Sequence, residues 1–219
     1  MLFSMAVVYN ILIAPAKAFQ SIKQKPMWWQ GLLLTAILIS VANVLAVWGS
    51  YDYIYQLSLQ HMGQLSPEQA EAAQKFMSLP VMVTTTGITT LITGIVAVFV
   101  QAGVFHLLTP LAGGETRFTR ALGIVVWSKM AIVVGAWFTG LMSLITRVPF
   151  RADLGVFVGE TSKLQAGLSQ FELFSVWSLI LVAEGMHRVS GCRRNMAYVV
   201  VFSAWVLWII IRGGAGLLM

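Results

Sequence analysis

Charge is what this sequence has least of. Only 10% of its 219 residues are Asp, Glu, Lys or Arg, against about 25% in a soluble globular domain. That scarcity excludes an ordinary hydrated surface wrapped around one core. Cysteine is almost missing as well, and Cys192 alone can neither close an internal disulfide nor supply a multi-cysteine metal site. Histidine is limited to His61, His106 and His187, and no His/Glu spacing matches a zinc protease. There is no GxSxG nucleophile turn. Gly113-Gly114 lacks the Lys-Ser/Thr that ends a phosphate loop. The expectation is therefore a chain that is not an enzyme, with no catalytic residue, no cofactor and no metal site. The net charge is +6, yet no RRM, zinc-finger or helix-turn-helix pattern accompanies it. The cations gather at the ends of apolar segments, which fits membrane topology and anionic headgroups and excludes nucleic acid as the expected partner.

What the chain does have is apolar residues, 58% of the total, with a mean hydropathy of +0.81. Crossing a hydrocarbon core takes about 20 apolar residues of helix. Five segments reach or approach that: Gly31–Trp48, Val81–Leu108, Ala121–Ile145, Phe171–Met186 and Met196–Ile211. Helix is required because lipid offers no partner to backbone N–H and C=O groups. The fold class expected is an all-α integral membrane protein, a bundle of about five transmembrane helices. Two regions follow: a cytoplasmic and interfacial N-terminal segment over 1–28, and a five-span domain over 29–219.

The N-terminal stretch MLFSMAVVYNILIA is apolar, but no Lys or Arg precedes it, so the leading basic region of a signal peptide is missing. The expectation is a segment lying on the membrane. Pro15 starts a short interfacial helix that Pro26 ends, with Phe19 and Ile22 on one face and Lys17, Lys23 and Lys25 free to reach headgroups. Trp28 and Trp29 stand where an aromatic belt holds the start of the first span. Between the first two spans, Ser66, Pro67 and Gln69 form a helix-start signal with a capping box, predicting a helix to about Met77.

The distribution of cations sets the orientation. With the N-terminus inside, the inner segments hold Lys17, Lys23, Lys25, Arg117, Arg120, Arg188, Arg193 and Arg194. The outer segments hold Lys75, Arg147, Arg151, Lys163 and Arg212. The positive-inside rule gives N-in, C-out. A bacterial cytoplasmic (inner) membrane is the expected location, with the protein multi-pass.

Ionisable groups inside a membrane are costly and mark functional candidates. Gln101, His106, Lys129 and Glu184 make a candidate intramembrane polar cluster. One reading pairs Lys129 with Glu184 across helices and lines a polar path, as in a channel or transporter. The other pairs Glu184 with Arg188 at i, i+4, lets Lys129 reach the inner headgroups and leaves His106 at the interface. In the second span Thr86, Thr90 and Gly94 recur every four residues, a small-residue face suited to close helix packing, within the bundle or in a homo-oligomer.

Three stretches together resemble one family. The first is Pro15-x-x-Ala18-Phe19-x-x-Ile22-x-x-x-Pro26-x-Trp28. The second is His106, then Gly113-Gly114, Arg117-Phe118 and Ala121-Leu122, leading to Val125-x-Trp127-Ser128. The third is Gly185-Met186-x-x-Val189-x-Gly191, then Arg193-Arg194 and Ala197. Their order over about residues 10–211 is similar to the Yip1 family of small polytopic membrane proteins, in its bacterial form. The resemblance implies five spans with a cytoplasmic N-terminus and supplies no catalytic residue. Eukaryotic relatives resemble membrane-traffic factors that associate with Rab-type GTPases and with one another. They carry a long cytosolic N-terminal region, whereas about 28 residues precede the first span here, so a small GTPase is not an expected partner. The family often has a proline soon after the Ser128 position, where this chain reads Lys129-Met130-Ala131. The function expected is a non-enzymatic adaptor or organiser binding membrane lipids or other membrane proteins. Its cytoplasmic contact surface is expected at Gly113, Gly114, Arg117, Arg120, Arg193 and Arg194.

Overall fold

The computed structural model describes residues 2–63, 66–157, 168–169 and 171–218, and among these the chain is helical with no β-sheet. The helices are α1 (Leu2–Ile13), α2 (Pro15–Gln24), α3 (Trp28–Gly49), α4 (Tyr51–Met62), α5 (Pro67–Phe76), α6 (Leu79–Leu108), α7 (Phe118–Ser128), α8 (Met130–Thr146), α9 (Leu173–Ser190) and α10 (Arg194–Leu218). Short 3-10 turns cover Thr109–Ala112 and Leu154–Phe157. An isolated bridge pairs Asp153 with Glu172.

Among the described residues, four helical stretches are long and apolar enough to cross a membrane: Trp28–Gly49, Leu79–Ala112, Phe118–Thr146 and Arg194–Ile211. They answer to the first, second, third and fifth expected spans. The segment expected as the fourth span is α9, a helix of 18 residues. It stands apart from those four because its last two turns carry Glu184, His187 and Arg188. The third stretch is two helices, α7 and α8, separated by Lys129 alone. The Lys129 N–H lies 3.2 Å from the Val125 carbonyl and 3.1 Å from that of Val126. The last turn of α7 thus tightens toward 3-10 geometry, with neither proline nor glycine at the break.

By contacts the chain forms two units. The first comprises Met1–Thr35, Ile95–Val134 and Ala152–Met219. Its core is made by α2, α7 and α9, with Phe19, Ile22, Ile124, Trp127, Leu181, Val182 and Met186 fully buried. Proline does occupy the first turn of α2, but its apolar face meets protein rather than lipid. Glycines make room for it: a Cβ on Gly185 would stand 2.7 Å from Phe19, and one on Gly123 would stand 3.2 Å from Ile22. The Trp127 indole N–H donates to the Pro26 carbonyl at 3.2 Å, tying the end of the N-terminal segment to α7. Residues 2–13, read from sequence as a surface stretch, form helix α1, with Val7 and Ile11 buried.

The second unit comprises Ala36–Gly94 and Gly135–Arg151. Small residues again set its packing. The Ser40 hydroxyl donates to the Gly87 carbonyl at 2.9 Å, and the Asn43 amide reaches the Thr90 hydroxyl at 3.4 Å. A Cβ on Gly140 would stand 2.6 Å from the Ala42 carbonyl oxygen. Of the expected Thr86, Thr90 and Gly94 face, Thr90 meets α3, whereas Gly94 opens on empty space; Gly87 meets α3 through its carbonyl, which accepts from Ser40. Helix α5 begins at Pro67 as its start signal predicts; the Gln69 side chain of the expected capping box lies outside the described residues. Helix α4 had no comparable signal. The Tyr51 hydroxyl in its first turn donates to the Met77 carbonyl at 3.1 Å.

Candidate functional site: two joined turns beside a clamped carboxylate

Two chain reversals in the first unit end on left-handed glycines. After α6, the Thr109–Ala112 turn closes at Gly113, whose φ is 72°, with its N–H donating to the Pro110 carbonyl at 2.9 Å. After α9, Gly191 has a φ of 75°, and the Cys192 N–H reaches back to the Met186 carbonyl at 3.4 Å. Glycine is favoured at both because a Cβ in this region meets its own backbone.

The sequence presents these turns as separate, but the structure makes them one object. The Glu115 N–H donates to the Ser190 carbonyl at 2.9 Å, and the Arg193 N–H donates to the Ala112 carbonyl at 3.1 Å. The Cys192 thiol donates to the Thr109 carbonyl at 3.8 Å, and the His187 Nδ1 lies 2.8 Å from the Cys192 carbonyl oxygen. Gly114 permits this. A Cβ there would stand 2.5 Å from the Cys192 Sγ and 2.7 Å from the Ser190 carbonyl oxygen. Burial pushes the Cys192 thiol above its ordinary pKa.

The joined turns carry arginine. Arg117 and Arg193 are exposed, and Arg120 is half-buried. Arg117 precedes α7 in extended conformation without a side-chain cap, and no acid occupies the first turn of that helix.

The four residues of the expected polar cluster fall in different settings. Glu184 is buried on α9, and its Oε1 accepts from the Nε of Arg188, the i, i+4 pair. Its Oε2 lies 3.6 Å from the Nε of Arg194, at the start of α10. That second arginine had no local signal, because the two residues meet only when α9 and α10 fold back on each other. Lys129 sits at the break between α7 and α8, and among the described residues no ion pair joins it to Glu184. Gln101 is half-buried on α6. His106 packs edge-on against Phe118 at 5.9 Å between ring centres, with its Nδ1 buried and unpartnered. Among the described residues, no hydrogen bond links these four side chains, and no cluster of His, Cys, Asp and Glu could hold a metal.

The model of the Yip1 domain family matches residues 9–215 of the chain. The membrane protein YknW of Bacillus subtilis (strain 168) is 26% identical over 212 residues, covering 94% of this chain and 89% of that protein. No solved structure matches.

Proposed function

The chain belongs to the Yip1 domain family, and from that premise we propose a non-enzymatic, multi-pass protein of a bacterial cytoplasmic membrane that binds lipids or other membrane proteins. It has five spans, α9 included, with its N-terminus in the cytoplasm and its C-terminus outside. Its contact surface is the joined turns, facing the cytoplasm.

The observation that carries this reading is the backbone union of the two turns. Two chain reversals far apart in sequence are joined by backbone hydrogen bonds, and what they present outward is arginine. A basic surface at the end of a membrane span attracts anionic headgroups and acidic partner segments. The buried chemistry lends less to the transporter reading, since Glu184 is bonded by Arg188, with Arg194 at ion-pair distance and no ion pair to Lys129 among the described residues.

The test is a photo-crosslinking amino acid placed at Arg117 or at Arg193 in the full-length protein, in native membranes. Crosslinks to lipid or to a membrane protein are expected from both positions, and none of similar strength from Tyr53 on α4. Equal labelling from all three positions would remove the turns from the reading. Ion flux above background in protein-containing liposomes, abolished by Glu184→Gln, would move the function to transport.

A further inference from the structure

We infer that Arg188 and Arg194, held side by side on Glu184, form a clamp for the phosphodiester of an anionic phospholipid. The inference rests on the turns being the contact surface and names the ligand they take.

Glu184 is nearly enclosed, with 9% of its side chain exposed, whereas Arg188 keeps 32% and Arg194 keeps 64%. A buried carboxylate needs a cation beside it; Arg188 on the same helix bonds its Oε1, while its buried Oε2 has no hydrogen-bond partner among the described residues. Arg194 stands near that second oxygen at ion-pair rather than hydrogen-bond distance, so one carboxylate faces two guanidinium groups, leaving a net positive charge. Arg194 is also placed against the preference of its own helix. It opens α10, which has no acidic residue in its first turn, and a cation at the positive end of a helix is unfavourable. A guanidinium this exposed and only loosely paired has room for an anion that comes from elsewhere.

The geometry of engagement leaves the recognition atoms free. Both arginines address Glu184 through Nε. Their terminal nitrogens have no partner among the described residues, so both forks remain available for the paired acceptor oxygens of a phosphate. Glu184 is a positioning residue, bonding Arg188 and keeping Arg194 within ion-pair reach, which lowers the rotamer freedom lost on binding.

Height selects the source of the phosphate. Arg194 begins a stretch, Arg194–Ile211, apolar enough to cross a membrane, so the clamp lies at the level where span gives way to headgroup. Exposed Arg193 adjoins it. A choline or ethanolamine cation is disfavoured beside these charges, whereas an uncharged glycerol headgroup is not. Phosphatidylglycerol is therefore the probe of choice.

The full-length protein is purified in mild detergent with equal phosphatidylglycerol and phosphatidylcholine, and retained lipid is read by native mass spectrometry. Wild type is expected to keep phosphatidylglycerol preferentially. Arg194→Gln and Arg188→Gln should each lower that retention about fivefold, the effect of one basic residue at an anionic surface. Arg194→Lys keeps the charge but not the fork and should recover less than half of the loss. Retention in Arg194→Gln equal to wild type overturns the clamp. If that variant does not purify, Arg194→Lys decides: wild-type retention overturns the clamp, and reduced retention supports it. Displacement of the lipid by inorganic phosphate at constant ionic strength assigns the site to free phosphate and overturns the lipid source. A loss seen only in an Arg117→Gln, Arg193→Gln double variant overturns the clamp while the contact surface stands. No loss in any variant overturns both.

Discussion

At Gly113 and Gly114 adjacent glycines answer to different constraints. Gly113 needs its left-handed backbone but has open space around the missing Cβ, whereas Gly114 has backbone atoms of the other turn where its Cβ would be. Gly113→Ala is therefore expected to cost about 1 kcal/mol, the steric penalty of a left-handed alanine. Gly114→Ala should cost more, about 1–3 kcal/mol, because backbone cannot yield as a flexible side chain can. Thermal unfolding in detergent orders the two, and a larger loss at Gly113 would contradict the close approach. Cys192 reports on the same joint. With the thiol buried and its pKa raised, less of it is thiolate at neutral pH, and the thiolate is the reactive species. Wild-type Cys192 should alkylate slowly with N-ethylmaleimide at pH 7 and faster as pH rises. Gly114→Ala should label faster at pH 7; equal rates would mean that the turns stay closed without the glycine. The sequence makes the two glycine turns visible, but not that one reads the other, since Gly114 and Cys192 are neighbours only in space.

Helix α2 was the most legible element, from Pro15 at its start to its apolar pair Phe19 and Ile22. What covers that pair was not legible, because an amphipathic pattern records that a face is buried and not what buries it. Phe19 meets α9 at Gly185, so Phe19→Ala should cost about 3–5 kcal/mol, the usual loss for emptying an aromatic site. Replacing Lys17, Lys23 and Lys25 on the exposed face by Gln should change stability by less than about 0.5 kcal/mol. A small loss at Phe19 with a large one at the lysines would return α2 to the membrane surface. The break at Lys129 was hidden for another reason. It is one tightened turn, and the residue types there carry no breaker signal. Arg147, just past the end of α8, is strained in a way sequence likewise conceals, with a φ of 60°. Arg147→Gly should raise stability by about 1 kcal/mol in thermal unfolding in detergent, and a loss would show that the arginine side chain holds that turn.

For the whole molecule, the status of α9 decides on which side of the membrane the chain ends. Five crossings place the termini on opposite sides, and four place them on the same side. A phosphatase reporter active only outside the cytoplasm, fused after Met219, should be active; an inactive fusion together with an active cytoplasmic one would remove α9 from the spans. Composition alone determined that this is a helical membrane protein, because apolar runs of that length leave the backbone no other way to satisfy its hydrogen bonds. The order of small and basic motifs along the chain also pointed to its family. Tertiary structure alone decided that the two glycine turns are one surface, that Glu184 holds Arg194 as well as Arg188, and that α2 packs on protein. Each of these joins residues distant in sequence, through backbone hydrogen bonds, an ion pair or the fit of a side chain over glycine. No local pattern encodes a partner that arrives only when the chain folds back on itself.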